Sequence, residues 1–222
     1  MRFRNSLCFA LALALPLAAA GCLFAPGDDD NGPPPPPPPP AVKLATAPDT
    51  LMMMFRVAYT GMDSTKYEAV LDPSFRFLFN PIDVTRFNLP SAFLTRADDL
   101  RSSGHMFSGR SLVKPDGTVP GVSDIHIAQF ARTTQWTPLG PDNPDFPNSQ
   151  YAIFNIAMSI ARVSNSTTLL INGQQQFYVS ERDTTVGGQT MHYYELIGQR
   201  DLTSITGKAT EGTTWGTVKT LY

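Results

Sequence analysis

Residues 58–77 read Ala58-Tyr59-Thr60-Gly61-Met62-Asp63-Ser64-Thr65-Lys66-Tyr67-Glu68-Ala69-Val70-Leu71-Asp72-Pro73-Ser74-Phe75-Arg76-Phe77. Gly61 is a residue type that commonly ends a helix, and Pro73 cannot continue one. Between these two breaks, the apolar spacing of residues 64–71 indicates a second short helix. The alternation that begins at Phe75 predicts a strand to about residue 79. The stretch therefore predicts two helices and a strand in close succession.

The flanking sequence indicates where the first helix begins and predicts a third helix downstream. Pro48-Asp49 and the apolar-periodic run after it predict a first helix that ends at Gly61, with Asp49 capping its first turn. Downstream, Thr95 and Asp98 resemble a capping box that opens a third helix to about Phe107. Three helices and one strand therefore occupy the first part of the folded chain.

Beyond the third helix the apolar pattern changes to a period of two. Short, turn-rich connections separate four runs of strand length, which predicts sequential antiparallel neighbours. The runs are Val122–Phe130, Tyr151–Val163, Thr168–Arg182 and Gln189–Asp201. Asn172-Gly173 in the third run indicates either a bulge or a tight turn. We expect an α+β fold in which three N-terminal helices pack against a strongly curved, mainly antiparallel sheet.

The stretch 58–77 resembles the opening of SnoaL-like, nuclear-transport-factor-2-like cone domains. In that family the phrase AY…D…Y..LL...F.F joins the first helix, the second helix and the first strand. The resemblance covers residues 45 to about 205, and the tail Thr213–Tyr222 is similar to that of uncharacterised bacterial lipoproteins with this domain. The resemblance implies a cone-like domain over residues 45–222. It implies little about activity, since this cone hosts isomerases, dehydratases, cyclases and binding modules.

The N-terminus predicts secretion and lipid attachment. Two arginines precede the apolar run Leu7–Leu17, which is too short to span a bilayer. Ala19-Ala20-Gly21-Cys22 resembles the bacterial lipobox, in which the cysteine is acylated and becomes the mature N-terminus. Residues 1–21 are therefore predicted to be a lipoprotein signal peptide, with Cys22 as the lipidation site. Leu23 in place of an aspartate suggests, by resemblance to Gram-negative sorting rules, export to the outer membrane.

Residues 22–44 are predicted to be a disordered, Pro-rich linker. Pro33–Pro40 are eight consecutive prolines, which adopt polyproline II. At a rise of about 3.1 Å per residue they form a stiff spacer of roughly 25 Å. We expect this spacer to hold the folded domain away from the membrane.

Composition and motifs exclude several functions. Without Arg2 and Arg4, the 17 Lys and Arg become 15 against 19 Asp and Glu, a net charge of −4. This balance gives no electrostatic basis for nucleic-acid binding. The sequence holds no Gly-x-Ser-x-Gly, His-Glu-x-x-His, Cys-x-x-Cys or phosphate-binding glycine loop. Residues 136–149 are rich in oxygen ligands, but their spacing matches no cation loop. We expect neither a metal nor a cofactor.

Asp124 and His126 are the best candidates for acid–base catalysis. They lie two residues apart in an alternating strand, so both side chains lie on one face, opposite Ile125 and Ile127. If that face lines an apolar cavity, Asp124 orients His126 as a general base. If the isoleucines face the core instead, the polar pair faces water, and the two isoleucines favour this alternative.

Five further residues are weaker candidates. His192 shares a strand face with Tyr194, which suits either a half-lined cavity or an exposed strand end. Asn155, Ser159 and Tyr178 are polar positions on central strands. Together with Tyr194 they are candidate ligand contacts, or they satisfy hydrogen bonds within a core.

Three functions are compatible with these features. The first is a membrane-anchored envelope module that binds a small apolar ligand or an envelope protein without catalysis. The second is a cone-fold isomerase, dehydratase or cyclase, which requires Asp124, His126 or His192 to point into a closed apolar cavity. The third is a structural module that self-associates as a homodimer through its broad sheet.

Overall fold

The computed structural model describes residues 44–163, 167–203 and 212–222. The signal peptide, Cys22 and the Pro-rich linker lie outside the described residues. The described helices are α1 (Pro48–Thr60), α2 (Ser64–Glu68), α3 (Pro81–Arg86), α4 (Arg96–Phe107) and α5 (Trp215–Leu221). The described strands are β1 (Leu71–Leu78), β2 (Phe93–Thr95), β3 (Leu112–Lys114), β4 (Gly117–Val119), β5 (Val122–Arg132), β6 (Thr137–Pro138), β7 (Gln150–Arg162), β8 (Thr168–Val186), β9 (Gln189–Asp201) and β10 (Gly212–Thr213).

The main sheet has the strand order β2-β1-β9-β8-β7-β5, which confirms the predicted α+β class with a mainly antiparallel sheet. The long strands β5, β7, β8 and β9 are sequential antiparallel neighbours. Two pairings are parallel: β1 with β9, and β10 with β8. The end strands β2 and β5 do not pair with each other within the described ranges, so the sheet is open.

One face of the sheet is covered by helices and holds the large core. Phe55 of α1 lies among aromatic rings of the sheet and of α2, with ring centroids 5.2 Å from Phe177 and 5.8 Å from Tyr67. Val179 and Leu196 of the central strands are fully buried beneath it. Burial of these side chains contributes about 1.5–3 kcal/mol each and fixes which face of each strand points inward.

The opposite face holds a small core built by the loop between β6 and β7. The Phe146 ring lies 4.1 Å from the Tyr178 ring, and Ile197 completes the cluster. Phe146 occupies space directly above Gly198, where an added Cβ would lie 2.2 Å from the ring. Since only glycine leaves that space free, Gly198 lets the loop pack on the sheet.

The three predicted helices correspond to α1, α2 and α4. The capping box at α4 is confirmed, because Asp98 N donates to Thr95 Oγ1 at 3.3 Å and Thr95 N to Asp98 Oδ2 at 3.4 Å. The prediction that Asp49 caps α1 is wrong, since the N-cap is Ala47 and no side chain caps it. Asp49 instead accepts a hydrogen bond from Trp136 Nε1 at 2.9 Å, so tertiary contacts outcompete the local cap.

The sequence interpretation does not include the short helices α3 and α5 or the short strands β2, β3, β4, β6 and β10, and it also leaves one detail of β8 open. Asn172-Gly173 is neither a bulge nor a turn, because β8 pairs there without interruption against Ala157 and Ile156. A Cβ on Gly173 would lie 2.2 Å from Thr203 Oγ1, so the glycine serves a close approach of the chain after β9.

Candidate functional site

Asp124 and His126 face solvent. Their neighbours Ile125 and Ile127 are 2% and 4% exposed and belong to the large core. Of the two orientations left open by the sequence, the structure therefore has the one in which the isoleucines point inward.

His192 is also exposed, near the turn between β8 and β9. Its Nδ1 lies 2.6 Å from Asp183 Oδ1 and 3.5 Å from Glu181 Oε1. Tyr194, on the same strand, is half-buried against the large core. None of the three acid–base candidates points into an enclosed cavity.

The structure does not bring the candidate ligand contacts together. Asn155 Oδ1 accepts a hydrogen bond from the Gln174 amide at 3.1 Å on an exposed part of the sheet. Ser159 is half-buried and lies directly across from His126 in the register of β5 and β7. Tyr178 is 4% exposed and packs in the small core.

The interior between the helices and the sheet is filled. The cavity that remains there has a volume of about 10 Å³, close to what a single water needs. Small-molecule pockets usually have about 300–1,000 Å³. The lining is Phe55, Tyr59, Ile127, Phe130, Ile156, Met158, Ile171, Gln175, Gln199 and Trp215.

A fully buried ion pair lies between α4 and α5. Lys219 Nζ is 2.8 Å from Asp99 Oδ1, and both side chains have 0% exposure. Lys219 Nζ also donates to Ser103 Oγ at 2.6 Å, and Tyr67 OH donates to Asp99 Oδ2 at 2.6 Å. We call Tyr59, Tyr67, Asp99, Ser103, Trp215 and Lys219 the buried lysine cluster.

Electrostatics favour the protonated forms of Lys219 and of the two tyrosines in this cluster. Burial alone would lower the pKa of Lys219, but the negative charge of Asp99 and the contact with Tyr59 outweigh it and raise that pKa. Burial, reinforced by Asp99, holds the pKa of the Tyr67 phenol well above its usual range. At neutral pH Lys219 is therefore an ammonium, and Tyr59 and Tyr67 are neutral phenols.

Two buried carboxylates hold the beginning of α5. Thr214 Oγ1 donates to Asp83 Oδ2 at 2.6 Å, and Gly216 N donates to Asp201 Oδ2 at 2.8 Å. Asp83 Oδ1 is buried and has no hydrogen-bond partner among the described residues. Burial raises the pKa of Asp83, the Thr214 hydrogen bond lowers it in part, and the nearby Asp201 charge adds to the increase.

An open groove of about 610 Å³ lies on the sheet face opposite the helices. Its floor comes from β1, β8 and β9, and one wall is the loop that carries Phe146. We call it the outer groove. Its lining residues are Ser74, Arg76, Asp145, Phe146, Pro147, Asn148, Ser180, Glu181, Arg182 and Ile197.

Arg76 lies at one end of the outer groove. Its guanidinium is 5.1 Å from the centre of the Phe146 ring and 5.6 Å from that of Phe93. It donates to the backbone carbonyl of Asp145 and forms no ion pair with a described residue. Asp145 instead pairs with Arg200 at 2.5 Å. The guanidinium is therefore positioned by two rings and a carbonyl while its charge is not neutralised by an adjacent carboxylate.

Arg182 lies at the other end of the groove and is anchored by a carboxylate. Its Nε and Nη2 donate to Asp72 Oδ2 at 3.1 and 2.6 Å. Burial would raise the pKa of Asp72, but the hydrogen bonds from Ser74 and Arg182 outweigh it and lower that pKa. The Arg182 side chain remains 41% exposed, so it can contact a ligand while Asp72 holds it in place.

The described residues form no cluster of three or more His, Cys, Asp or Glu side chains that could hold a metal ion. Among the same residues, every helix is too short or too polar to cross a membrane.

No family model and no curated protein matches the chain. Similar solved structures include a nuclear-transport-factor-2-like protein from Salmonella enterica serovar Typhimurium, with 10% identity, 73% of this chain and 92% of that one covered, and a TM-score of 0.43. Another is a protein with a ketosteroid-isomerase-like fold from Catenulispora acidiphila, with 10% identity, 78% and 98% covered, and a TM-score of 0.40. A third is an NTF2-like protein from Rhodospirillum rubrum, with 10% identity, 68% and 93% covered, and a TM-score of 0.37. At these values the similarity identifies neither a family nor an activity.

Proposed function

We propose that the chain is a lipid-anchored envelope protein whose folded domain binds a partner at the outer groove without catalysis. The contrast between two spaces carries this proposal. The interior retains about 10 Å³, whereas the outer groove offers about 610 Å³. A pocket of about 410 Å³ also lies beside α4 and α5, so the outer groove is preferred for its larger volume together with its partly exposed Arg182 guanidinium.

The anchor and the location belong to the same proposal. Acylated Cys22 would insert into the membrane, and several acyl chains would make the anchoring effectively permanent at about 0.8 kcal/mol per buried methylene. The linker 22–44 would carry the domain, and we propose the bacterial outer membrane as its location. Replacing Cys22 by serine should move the protein from the membrane fraction to the soluble fraction.

Catalysis is the less supported alternative. An acid–base enzyme needs a titratable group in a cavity that admits substrate, and Asp124, His126 and His192 are all exposed instead. The buried lysine cluster does hold a carboxylate and two phenols, but solvent does not reach them in this closed state.

Site-specific crosslinking tests the groove. A photoreactive amino acid at Pro147, which is exposed and lines the groove, should form an adduct in intact cells. The same amino acid at Val113, which is 80% exposed on the β3–β4 hairpin, serves as the matched control. Adducts of equal yield at both positions, or at neither, would overturn the proposal. An adduct of twice the chain mass would favour self-association as a homodimer instead.

A further inference from the structure

The helix α5 is docked by buried polar groups as well as by apolar side chains. Asp83 and Asp201 hold its first turn, and Asp99 binds Lys219 near its last turn. The Lys219 backbone carbonyl also accepts a hydrogen bond from Ser102 Oγ at 3.0 Å. A seven-residue helix is not stable alone in water, so these contacts, together with the packing of α5, decide whether it stays in place.

The Lys219 ammonium lies within a set of aromatic rings. Its Nζ is 5.5 Å from the centre of the Tyr67 ring, 5.6 Å from Trp215 and 5.7 Å from Tyr59. Asp99 provides the opposite charge and Ser103 a hydrogen-bond acceptor, at 2.8 and 2.6 Å. Aromatic faces attract cations at such distances, and proteins that recognise quaternary ammonium ligands use rings arranged in this way.

Buried polar groups in α5 and in the segments around it lack partners within the described ranges. Gln199 Oε1, Thr203 Oγ1, Trp215 Nε1 and Asp83 Oδ1 are buried without hydrogen-bond partners among the described residues. A buried polar group without a partner destabilises the folded state, and a buried ion pair adds little net stability over an apolar pair. The docking of α5 against the rest of the domain is therefore less stable than it would be if apolar groups occupied the same positions.

We infer that the interior beneath α5 is a binding site for primary alkylammonium ions, which the chain's own Lys219 occupies in this closed state. A ligand that presents the same ammonium group would take the place of Lys219 on Asp99 and Ser103. Displacement of Lys219 and Trp215 would open the interior, whose remaining cavity Trp215 already lines. This site lies on the opposite face of the sheet from the outer groove and does not depend on it.

The site is tested by filling it from solution in the full-length Lys219→Ala protein. This variant lacks the last three carbons and the ammonium of the lysine side chain. The n-propylammonium ion has the same three carbons and ammonium, so it can fill the space they leave. Its melting temperature should rise by about 4 °C with n-propylammonium chloride, since 1 kcal/mol corresponds to roughly 2–4 °C in a domain of this size. Equal concentrations of 1-propanol and of sodium chloride should produce no such rise. A rise of the same size with 1-propanol would overturn the ammonium site.

The Lys219→Ala/Asp99→Asn double variant is the matched control. It removes the carboxylate that binds the ammonium, so n-propylammonium should no longer raise its melting temperature. A rise as large as in the single variant would place the amine elsewhere and overturn the inference.

Displacement is tested in the unmodified protein, which also covers the case in which Lys219→Ala fails to fold. Hydrogen exchange of the backbone amides in residues 215–221 should become faster with n-propylammonium chloride. Exchange in β7 and β8 should stay the same, because the sheet does not open. Unchanged exchange in α5 over the whole concentration range would overturn the displacement of Lys219.

Discussion

The two faces of the sheet each carry an ion pair, and the pairs differ in their access to water. The Lys219–Asp99 pair on the helix side has 0% exposure on both side chains. In the Arg182–Asp72 pair on the groove side, the carboxylate is 4% exposed and the guanidinium 41%. The same kind of ion pair is thus sealed from water on one face and partly accessible to water on the other.

The difference follows from what covers each face. Aromatic side chains and α5 fill the helix side, so a charge there must have its partner within the protein. On the groove side, the loop around Phe146 is what covers the sheet among the described residues, and Arg76 and Arg182 keep part of their surface exposed. Substitutions that disrupt one face at a time should therefore change the free energy of unfolding by different amounts and with different pH dependence.

The largest effect is expected from Lys219→Met. It leaves the carboxylate of Asp99 buried without its counter-charge, which costs about 3–5 kcal/mol in free energy of unfolding. Urea denaturation measures the loss. The double variant Lys219→Met/Asp99→Leu is the control, and it should recover most of the stability because both charges are gone. A double variant as unstable as the single one would show that apolar packing, not charge, dominates this site.

A smaller loss is expected from Phe146→Ala on the groove side. The ring packs on Tyr178 and above Gly198, and removal of a buried phenylalanine costs about 3 kcal/mol. The loop should also become sensitive to limited proteolysis between residues 139 and 149. Phe93→Ala is the control: Phe93 also contacts Arg76 but is 38% exposed, so its replacement should cost less than about 1 kcal/mol. Equal losses in the two variants would show that the loop does not depend on the small core.

Local sequence signals predicted much of the fold. Period-two runs gave the four long strands, and β9 has the predicted bounds, Gln189–Asp201. The break at Gly61 and the capping box at Thr95 placed the helices, because caps act within one turn. The parallel pairing of β1 with β9 has no such signal, because it joins segments more than 100 residues apart in the chain.

The two missed helices did carry signals. Asn80 caps α3 and is followed by Pro81 at the first helical position. Thr214 caps α5, where Trp215 and Val218 are spaced by three residues on the buried side. A short helix with few apolar residues gives a weak periodicity, so tertiary contacts decide whether it forms.

The buried charges could not be predicted from the sequence. Asp99 follows directly after the capping box of α4, where an acidic residue is favoured at any exposed helix start. Lys219 lies in the last turn of α5, where a cation is equally ordinary. Only the packing of α5 across α4 converts these two common residues into a buried pair.

A loss of about 1 kcal/mol at pH 7 is expected for Asp72→Asn, since Arg182 and Ser74 stabilise the carboxylate. Folding lowers the pKa of Asp72. Its contribution to the free energy of unfolding is therefore complete above pH 3.8 and is lost as the pH falls through the lower folded pKa. Chemical denaturation from pH 7 to pH 2 measures the difference between variant and wild type. That difference should shrink towards low pH, and a constant difference would contradict the assignment. Asp142→Asn, at an exposed loop position, should show no difference at either pH.

The smallest effect, with the opposite sign, is expected from Asp83→Asn. Asp83 is buried, and one of its oxygens has no partner within the described ranges; burial raises its pKa, so the folded protein binds a proton more tightly than the unfolded chain. In the wild type, the contribution of Asp83 to stability is therefore fully present below pH 3.8 and is lost as the pH rises through the folded pKa. An asparagine keeps an oxygen for the Thr214 hydroxyl and carries no charge. The variant should gain up to about 1 kcal/mol at pH 7 and nothing at low pH.

Asp201→Asn is the matched control for this prediction. Asp201 accepts hydrogen bonds from the Gln175 amide and from the backbone amides of Thr203 and Gly216, so its replacement should destabilise the protein at pH 7. The same substitution would then change the stability in opposite directions at two neighbouring carboxylates, because in the described part of the chain Asp201 has partners for both oxygens and Asp83 for one. A loss of stability in Asp83→Asn at pH 7 would contradict this prediction. It would mean that the negative charge of Asp83 stabilises the docking of α5, although one of its oxygens lacks a partner among the described residues.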